Sequence, residues 1–281
     1  MSKRFKYTRN PHIDSDPIVN FRQNLQRVIN TVPADHPVYV YTKHRVDYSL
    51  TYRQFYENIR AFGTALSVLG LQGEAVAIIS ETDPCYMTAY YGTMISGGIV
   101  IPLDKDISDE EIVGFLKKAH VKAIVYGETQ NNRIGLLADQ LPEVQYFLPA
   151  YEESEQAVTD RTKPLKEFLA VGQKAVDEGN DFFETCPQDL QKCSVIIFTS
   201  GTTGTSKGVM LSQGNLVAAA NAAVNVIDQL DENTVLLSVL PMHHTYEATT
   251  GHLAAQFFGV TNAINDSVKY VAKNIKKYRP T

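Results

Sequence analysis

A run of hydroxyl residues and glycines, TSGTTGTSKG, has the composition of a phosphate-binding loop. It begins at Thr199, directly after the apolar strand SVIIF, and includes Lys207 near its end. Glycines let the backbone approach an anion, while hydroxyl groups and a lysine add hydrogen-bond donors and positive charge. We therefore expect a polyphosphate to bind here. The residues predicted to bind it are Thr199, Ser200, Gly201, Thr202, Thr203, Gly204, Thr205 and Lys207.

Two common nucleotide-binding motifs do not describe this loop. A Walker loop needs a glycine before its lysine and a serine or threonine after it, whereas Ser206 precedes Lys207 and Gly208 follows it. The dinucleotide fingerprint G-x-G-x-x-G fails because residue 203 is a threonine. A plain flexible turn is the structural alternative, but six hydroxyl residues and a lysine within nine positions favour phosphate binding.

A second group of reactive side chains lies in LPMHHTYE, between an apolar strand over 234–240 and a predicted helix. His243, His244 and Glu247 are residue types that bind metals, but the H-E-x-x-H pattern of zinc proteases is absent. A structural role suits them equally, because a glutamate is favourable in the first turn of a helix. Residue chemistry alone leaves a functional and a structural cluster open.

Composition limits the classes of protein that could carry these motifs. The chain has 281 residues, 44% of them apolar, and a formal net charge of −5, which excludes a mainly disordered chain and disfavours a nucleic-acid partner. Three cysteines without a CxxC pair predict a reducing compartment, and therefore a cytoplasmic location. The apolar stretches are too short for a transmembrane segment, so a peripheral membrane contact is the most that we expect.

Helices and strands that alternate along the chain must position these groups. Capping boxes predict helix starts at Thr51 and Ser108, where glutamine or glutamate follows three residues later. Strands that are apolar on successive residues are covered on both faces, so we expect an α/β fold with doubly wound, mostly parallel sheets and helices on both faces. Such strands are predicted at 38–42, 75–80, 98–102, 123–126 and 194–198.

The chain is expected to form one partial domain with two subregions. The first is an α/β layer over 1–185, and the second is an α/β layer over 186–281 that carries the phosphate loop. Acidic residues accumulate between 151 and 189 and strong strands disappear there, which predicts a linker or a surface excursion. The last predicted helix covers 267–278. In a chain of alternating helices and strands, a strand should follow it.

The string FTSGTTGTSKGV closely resembles the phosphate-loop signature of the adenylate-forming superfamily, which includes acyl-CoA synthetases, firefly-type luciferases and peptide-synthetase adenylation domains. Two weaker matches occur in the family's order, over 49–70 and in MISGGIVIPLD over 94–104. The resemblance extends from about residue 40 to the C-terminus. Thr205 and Ser206 depart from it, because the family usually has x-Pro there.

The segment PMHHTYE is similar to the P-L-x-H-x-x-E segment of the fatty acyl-CoA synthetase branch. His244 aligns with the family histidine at the acyl pocket. Peptide-synthetase adenylation domains carry F-D-x-S at this place, and its absence disfavours an amino-acid substrate. His243 stands where many members have an aromatic or small residue, so the resemblance leaves the chain length of the acid open.

The resemblance implies an ATP-dependent, AMP-forming acid–thiol ligase that converts a carboxylic acid, expected to be a fatty acid, through an acyl-adenylate to acyl-CoA. ATP, magnesium (Mg2+) and CoA would take part, with Lys207, His244 and Glu247 as catalytic residues and Thr199 at the metal. Family members continue further, so we expect an N-terminal fragment that lacks the small C-terminal domain and is inactive by itself. Two alternatives stay open: a ligase that loads a carrier protein, and a non-enzymatic nucleotide-binding module.

Overall fold

Two β-sheets with helices packed against them organise this computed structural model, which describes residues 17–151, 157–199, 207–227, 230–265 and 267–281. One sheet has six strands in the order β6–β5–β3–β4–β7–β8, and the other has four in the order β2–β1–β10–β9. In the described ranges the strands are β1 (Pro37–Lys43), β2 (Val46–Thr51), β3 (Ala75–Ile79), β4 (Ile99–Pro102), β5 (Val121–Tyr126), β6 (Tyr146–Pro149), β7 (Cys193–Thr199), β8 (Lys207–Ser212), β9 (Val235–Ser238) and β10 (Thr261–Ile264).

Most neighbouring strands run parallel, as the sequence predicts. Within the described residues, the antiparallel pairs are β7–β8 in the larger sheet and β1–β2 in the smaller one. Val76 and Ile78 of β3 belong to one apolar cluster, whereas Ala77 and Ile79 belong to another. The larger sheet therefore has a core on each side, and the predicted α/β fold with helices on both faces is confirmed.

Helices begin where the sequence predicts them. The Thr51 and Ser108 hydroxyls each accept a hydrogen bond from a backbone N–H three residues later, at 3.2 Å, and so satisfy N–H groups that have no partner inside the helix. No helix in the described ranges is long and apolar enough to cross a bilayer. The α-helices there are α1 (Phe21–Thr31), α2 (Tyr52–Val68), α3 (Pro84–Ile95), α4 (Asp109–Lys118), α5 (Asn131–Leu137), α6 (Leu165–Asp177), α7 (Phe182–Thr185), α8 (Gln213–Val226) and α9 (Val271–Tyr278).

The acidic stretch between 151 and 189 is not simply a linker. Its middle forms α6, and Phe168 of that helix is fully buried against Phe62 of α2, with ring centroids 5.2 Å apart. Gly172 lies so close to α2 that a Cβ atom added to it would be 1.8 Å from the carbonyl oxygen of Ala61. A linker is thus excluded for this helix, whereas a surface excursion is not, because Glu167 and Asp177 are exposed on its outer face and Phe168 lies on its inner apolar face.

A tight hairpin joins β1 to β2. His44 and Arg45 form its turn with positive φ angles of 50° and 68°, a conformation uncommon for residues with side chains. Two ion pairs connect the hairpin to segments that follow β3 and β5: Lys43 with Asp83 at 3.6 Å, and His44 with Glu128 at 3.5 Å. The hairpin therefore links the smaller sheet to the carboxyl edge of the larger one.

Each sheet takes strands from both ends of the chain. Tyr39 of β1 pairs with Asn262 of β10, and Val100 of β4 pairs with Val195 of β7. The boundary predicted between 1–185 and 186–281 therefore does not coincide with the division between the two sheets. The reason is that parallel strands are joined through crossovers, so a neighbour in the sheet can be distant in sequence. As a division into domains, that boundary stays a prediction.

Candidate functional site

The strands that flank the predicted phosphate loop form an antiparallel pair. Thr199, the last residue of β7, lies opposite Lys207, the first residue of β8. Both side chains are exposed, and Lys207 makes no ion pair within the part of the chain that the structure describes. The strand predicted directly before the loop is thus confirmed, and a second strand, β8, begins directly after it. The loop residues between them, Ser200, Gly201, Thr202, Thr203, Gly204 and Thr205, lie outside the described residues.

The end of β7 lies at the carboxyl edge of the larger sheet. β7 runs parallel to β4, so Thr199 and the residues after β4, including Asp104, face the same edge. Ligands of open α/β sheets bind in the crevice beyond the carboxyl ends of such strands. Phe198 stacks on Phe115 of α4, with ring centroids 4.2 Å apart and an interplanar angle of 3°. This stacking holds the end of β7, directly before the loop, against α4.

His243 and His244 lie in the turn that follows β9. Their ring centroids are 4.4 Å apart, and His243 Nε2 is 3.6 Å from Asp104 Oδ2. Burial lowers the pKa of His243, and the Asp104 carboxylate opposes that shift. The structure thus brings the 94–104 segment and the PMHHTYE segment together at this edge, with His244 exposed.

Glu247 occupies the first position of a π-helix, Glu247–Ala254. Its side chain is buried, and Oε1 accepts a hydrogen bond from the Ser238 hydroxyl at 2.5 Å. Burial raises the pKa of Glu247, whereas the Ser238 hydrogen bond and the charge interaction with His244 oppose that rise. The predicted catalytic carboxyl group is therefore held inside the protein, within electrostatic reach of the exposed His244.

Several polar residues around Glu247 escape the sequence reasoning. They are buried and connect Glu247 to the core through hydrogen bonds. The sequence signal for them is weak. His252 and Gln256 are two polar residues in the apolar run GHLAAQFF, and the five-residue spacing from Glu247 to His252 fits neither a helix nor a strand pattern. These residues are Tyr39, Tyr91, Ser238, His252 and Gln256.

The donors at the edge of β7 suit a triphosphate with a divalent cation. Thr199 offers a hydroxyl oxygen, a hard ligand of the kind that Mg2+ accepts, and Lys207 offers a positive charge. Across the described ranges, no cluster of three or more histidine, cysteine, aspartate or glutamate side chains could hold a metal ion.

Known proteins resemble this chain over most of its length. It is 26% identical to a long-chain-fatty-acid–CoA ligase of Xenopus laevis over 95% of this chain and 38% of that protein. It is also 26% identical to a chloroplastic long-chain-fatty-acid–[acyl-carrier-protein] ligase of Arabidopsis thaliana, over 84% of this chain and 34% of that protein. The chain thus spans well under half the length of these two relatives.

A solved structure has the same fold. The inhibitor-bound N-terminal domain of FACL13 from Mycobacterium tuberculosis superposes with a TM-score of 0.73, at 24% identity, over 93% of this chain and 61% of that one. A family model described as AMP-binding enzyme matches residues 25–281. That range includes β7, β8 and the histidine turn, together with all but the beginning of the described fold. The chain belongs to the AMP-binding enzyme family.

Proposed function

We propose that this chain supplies the ATP-binding and acid-binding elements of an AMP-forming acid–thiol ligase that makes acyl-CoA. The pairing of Thr199 with Lys207 at the carboxyl edge of a mostly parallel sheet carries the proposal, because the two strand ends on either side of the loop then carry an exposed hydroxyl and an exposed cation. The name of the Xenopus relative supports a long-chain fatty acid as the substrate.

The first step joins the acid to AMP. A carboxylate oxygen attacks the α-phosphorus of ATP, the bond from that phosphorus to the pyrophosphate oxygen breaks, and acyl-adenylate and pyrophosphate result. Both reactants are anions, so the main obstacle is charge repulsion. Lys207 and the loop N–H groups would stabilise the negative charge that grows on pyrophosphate, as fixed donors do in an oxyanion hole.

The second step transfers the acyl group to sulfur. The CoA thiol loses its proton to water, the sulfur attacks the acyl carbonyl carbon, and the carbon–oxygen bond to AMP breaks, so that AMP leaves with the bonding electron pair. His244 is exposed and interacts through its charge with the buried Glu247, and we assign it to the junction between nucleotide and acid. Mg2+ would neutralise phosphate charge when bound, and Thr199 is the residue that would hold it.

Carrier-protein loading is the second candidate function. It is favoured by the Arabidopsis relative, whose name specifies an acyl carrier protein as acceptor. Both functions share the first step and differ in the thiol that receives the acyl group. Comparing CoA with a purified acyl carrier protein as the acceptor of a preformed acyl-adenylate distinguishes them.

Equilibrium binding to the 281-residue chain tests the shared first step. We expect ATP with Mg2+ to bind, and dodecanoate to bind separately. Lys207→Ala should weaken the binding of ATP, and His244→Ala should weaken that of dodecanoate. Binding of ATP without any binding of dodecanoate would favour the non-enzymatic module, and failure to bind ATP would overturn the proposal.

A cytoplasmic location is also a proposal. Cys85, Cys186 and Cys193 are all free thiols, which supports a reducing compartment. Burial raises the pKa of each of them, so none has the low pKa of a reactive thiolate.

A further inference from the structure

A continuous chain of hydrogen bonds leads from the core of the protein to Glu247. Its members are buried, and they come from α3, from β1 and β9 of the smaller sheet, and from the π-helix with the 3₁₀ turn after it, Ala255–Phe258. The proposed mechanism does not use most of them. In order, the chain runs through Tyr91, Gln256, Tyr39, His252, Ser238 and Glu247.

The carboxylate at the end of the chain determines the direction of the nearest hydrogen bonds. An ionised Glu247 can only accept, so the Ser238 hydroxyl donates its proton to Oε1 at 2.5 Å. The Ser238 oxygen must then accept from His252 Nε2 at 3.4 Å. A neutral His252 therefore carries its ring proton on Nε2. Burial keeps the ring neutral, because it lowers the pKa of His252 to about 3.

The remaining hydrogen bonds follow from that tautomer. His252 Nδ1 has a free lone pair, so the Tyr39 hydroxyl donates to it at 3.1 Å. The Tyr39 oxygen accepts from Gln256 Nε2 at 2.9 Å, and Gln256 Oε1 accepts from the Tyr91 hydroxyl at 2.7 Å. Every donor therefore points toward Glu247, an arrangement in which neighbouring hydrogen bonds strengthen one another.

The π-helix makes this arrangement sterically feasible. In a regular α-helix, which turns about 100° per residue, two residues five positions apart point in very different directions. The wider turn of a π-helix bonds residues five apart, and here His252 Nε2 lies 3.7 Å from Glu247 Oε1. Gly251 leaves space for the carboxyl group, because a Cβ atom there would lie 2.9 Å from Oε1.

We propose that His252 is a positioning residue of the acid site, which orients the Ser238 hydroxyl and so holds the Glu247 carboxylate in one orientation near His244. This inference rests on the proposed function only in calling the site an acid site. The hydrogen-bond chain itself stands on the geometry. A single apolar substitution at His252 would remove the donor to the Ser238 oxygen and the acceptor of the Tyr39 hydroxyl.

The test compares two substitutions at the same position, His252. His252→Gln keeps an N–H for Ser238 and an oxygen for Tyr39, whereas His252→Met keeps neither. The readout is the pH at which Glu247 becomes protonated, followed through the infrared carbonyl band of its carboxylic acid and assigned by the loss of that band in Glu247→Gln. The other titratable groups that face Glu247 are His244 and the neutral His252, with Tyr39 behind the latter.

We expect His252→Met to raise the protonation pH of Glu247 by about half a pH unit, and Ser238→Ala to raise it by about one. In His252→Gln, the protonation pH of Glu247 should stay close to that of the native protein. Dodecanoate affinity should fall several-fold in His252→Met and recover in His252→Gln, while ATP affinity stays unchanged.

Two results would overturn the inference: an unchanged Glu247 titration in His252→Met, or a His252→Gln variant as impaired as the methionine variant. If His252→Met does not fold, Tyr39→Phe removes the donor to His252 with little change in packing, and it should shift the titration in the same direction. If dodecanoate does not bind the native chain, the proposed function fails, and the infrared titration still decides the role of His252.

Discussion

His243 and Asp104 join two segments of the chain that are far apart in sequence, through a contact of 3.6 Å between Nε2 and Oδ2. The carboxylate favours the protonated imidazole, while burial disfavours it more strongly. Asp104→Asn removes the carboxylate charge that favours the protonated imidazole of His243. We therefore expect the pKa of His243 to fall further, by about 0.5 unit, a modest shift because Asp104 is partly exposed. An NMR titration of the ring carbon signals measures it.

Asp106→Asn is the matched control for this titration. Asp106 also raises the pKa of His243, but it ranks below Asp104 and His244 among the causes. Its amide variant should therefore produce a smaller shift. Equal shifts in the two variants would contradict a specific pair between His243 and Asp104.

Lys207→Ala should weaken the binding of ATP about tenfold at low ionic strength, which corresponds to about 1.4 kcal/mol. Lys207 is exposed, so salt should reduce this difference, and Lys207→Arg should retain most of the affinity because it keeps the charge. Calorimetric titration at two salt concentrations measures both effects. Lys174→Ala on α6 is the control, and a comparable loss there would show that the effect is not specific to the end of β8.

His252 should make the stability of the protein depend on pH. Burial lowers its pKa from the ordinary 6.5 to about 3, so below pH 6.5 the unfolded chain binds a proton that the folded protein does not. Stability is therefore lost as the pH falls, at about 1.4 kcal/mol per pH unit. Between pH 7 and pH 5, the native protein should lose about 2 kcal/mol more than His252→Gln in urea unfolding. Equal losses would mean that His252 is protonated in the folded state.

The raised pKa of Glu247 acts in the opposite direction. Where the folded protein binds a proton at Glu247 and the unfolded chain does not, acidification stabilises the folded protein. Comparing the native protein with His252→Gln removes most of this contribution, because the glutamine variant keeps the hydrogen bonds that lead to Glu247.

Gly172→Ala should destabilise the protein by about 2–3 kcal/mol. The added Cβ would lie 1.8 Å from a backbone oxygen of α2, and backbone cannot move aside as a flexible side chain can. Gly114→Ala in α4 is the matched control, because nothing lies within 4 Å of its Cβ position. It should stabilise the protein by about 0.5–1 kcal/mol. Urea unfolding measures both effects, and a Gly172→Ala variant as stable as the native protein would contradict the close packing of α6 on α2.

The local features of the fold were predictable from the sequence, and the long-range pairings were not. The caps at Thr51 and Ser108 depend on residues three positions apart, so a short window contains the whole signal. β10 has only four residues, and it forms because β1 and β9 lie on either side of it. No property of the Thr261–Ile264 segment alone indicates those neighbours.

The same distinction applies to the candidate site. Thr199 and Lys207 could be identified because the strand, the loop and the next strand follow one another directly. The contact of His243 with Asp104 depends on how the two sheets lie in space. His252 was missed because the π-helix changes the spacing at which two residues share a face.

The pairing of β1 with β10 has a consequence for synthesis on the ribosome. The Thr261 hydroxyl donates a hydrogen bond to the Pro37 carbonyl, 224 residues away along the chain, so the early β1–β2 hairpin gains this partner only after residue 261 has been made. Until β10 emerges, one edge of β1 has no partner, and such an edge can pair with another unfinished chain. We expect the smaller sheet to form last, and nascent chains that stall before residue 261 to be those most prone to aggregate.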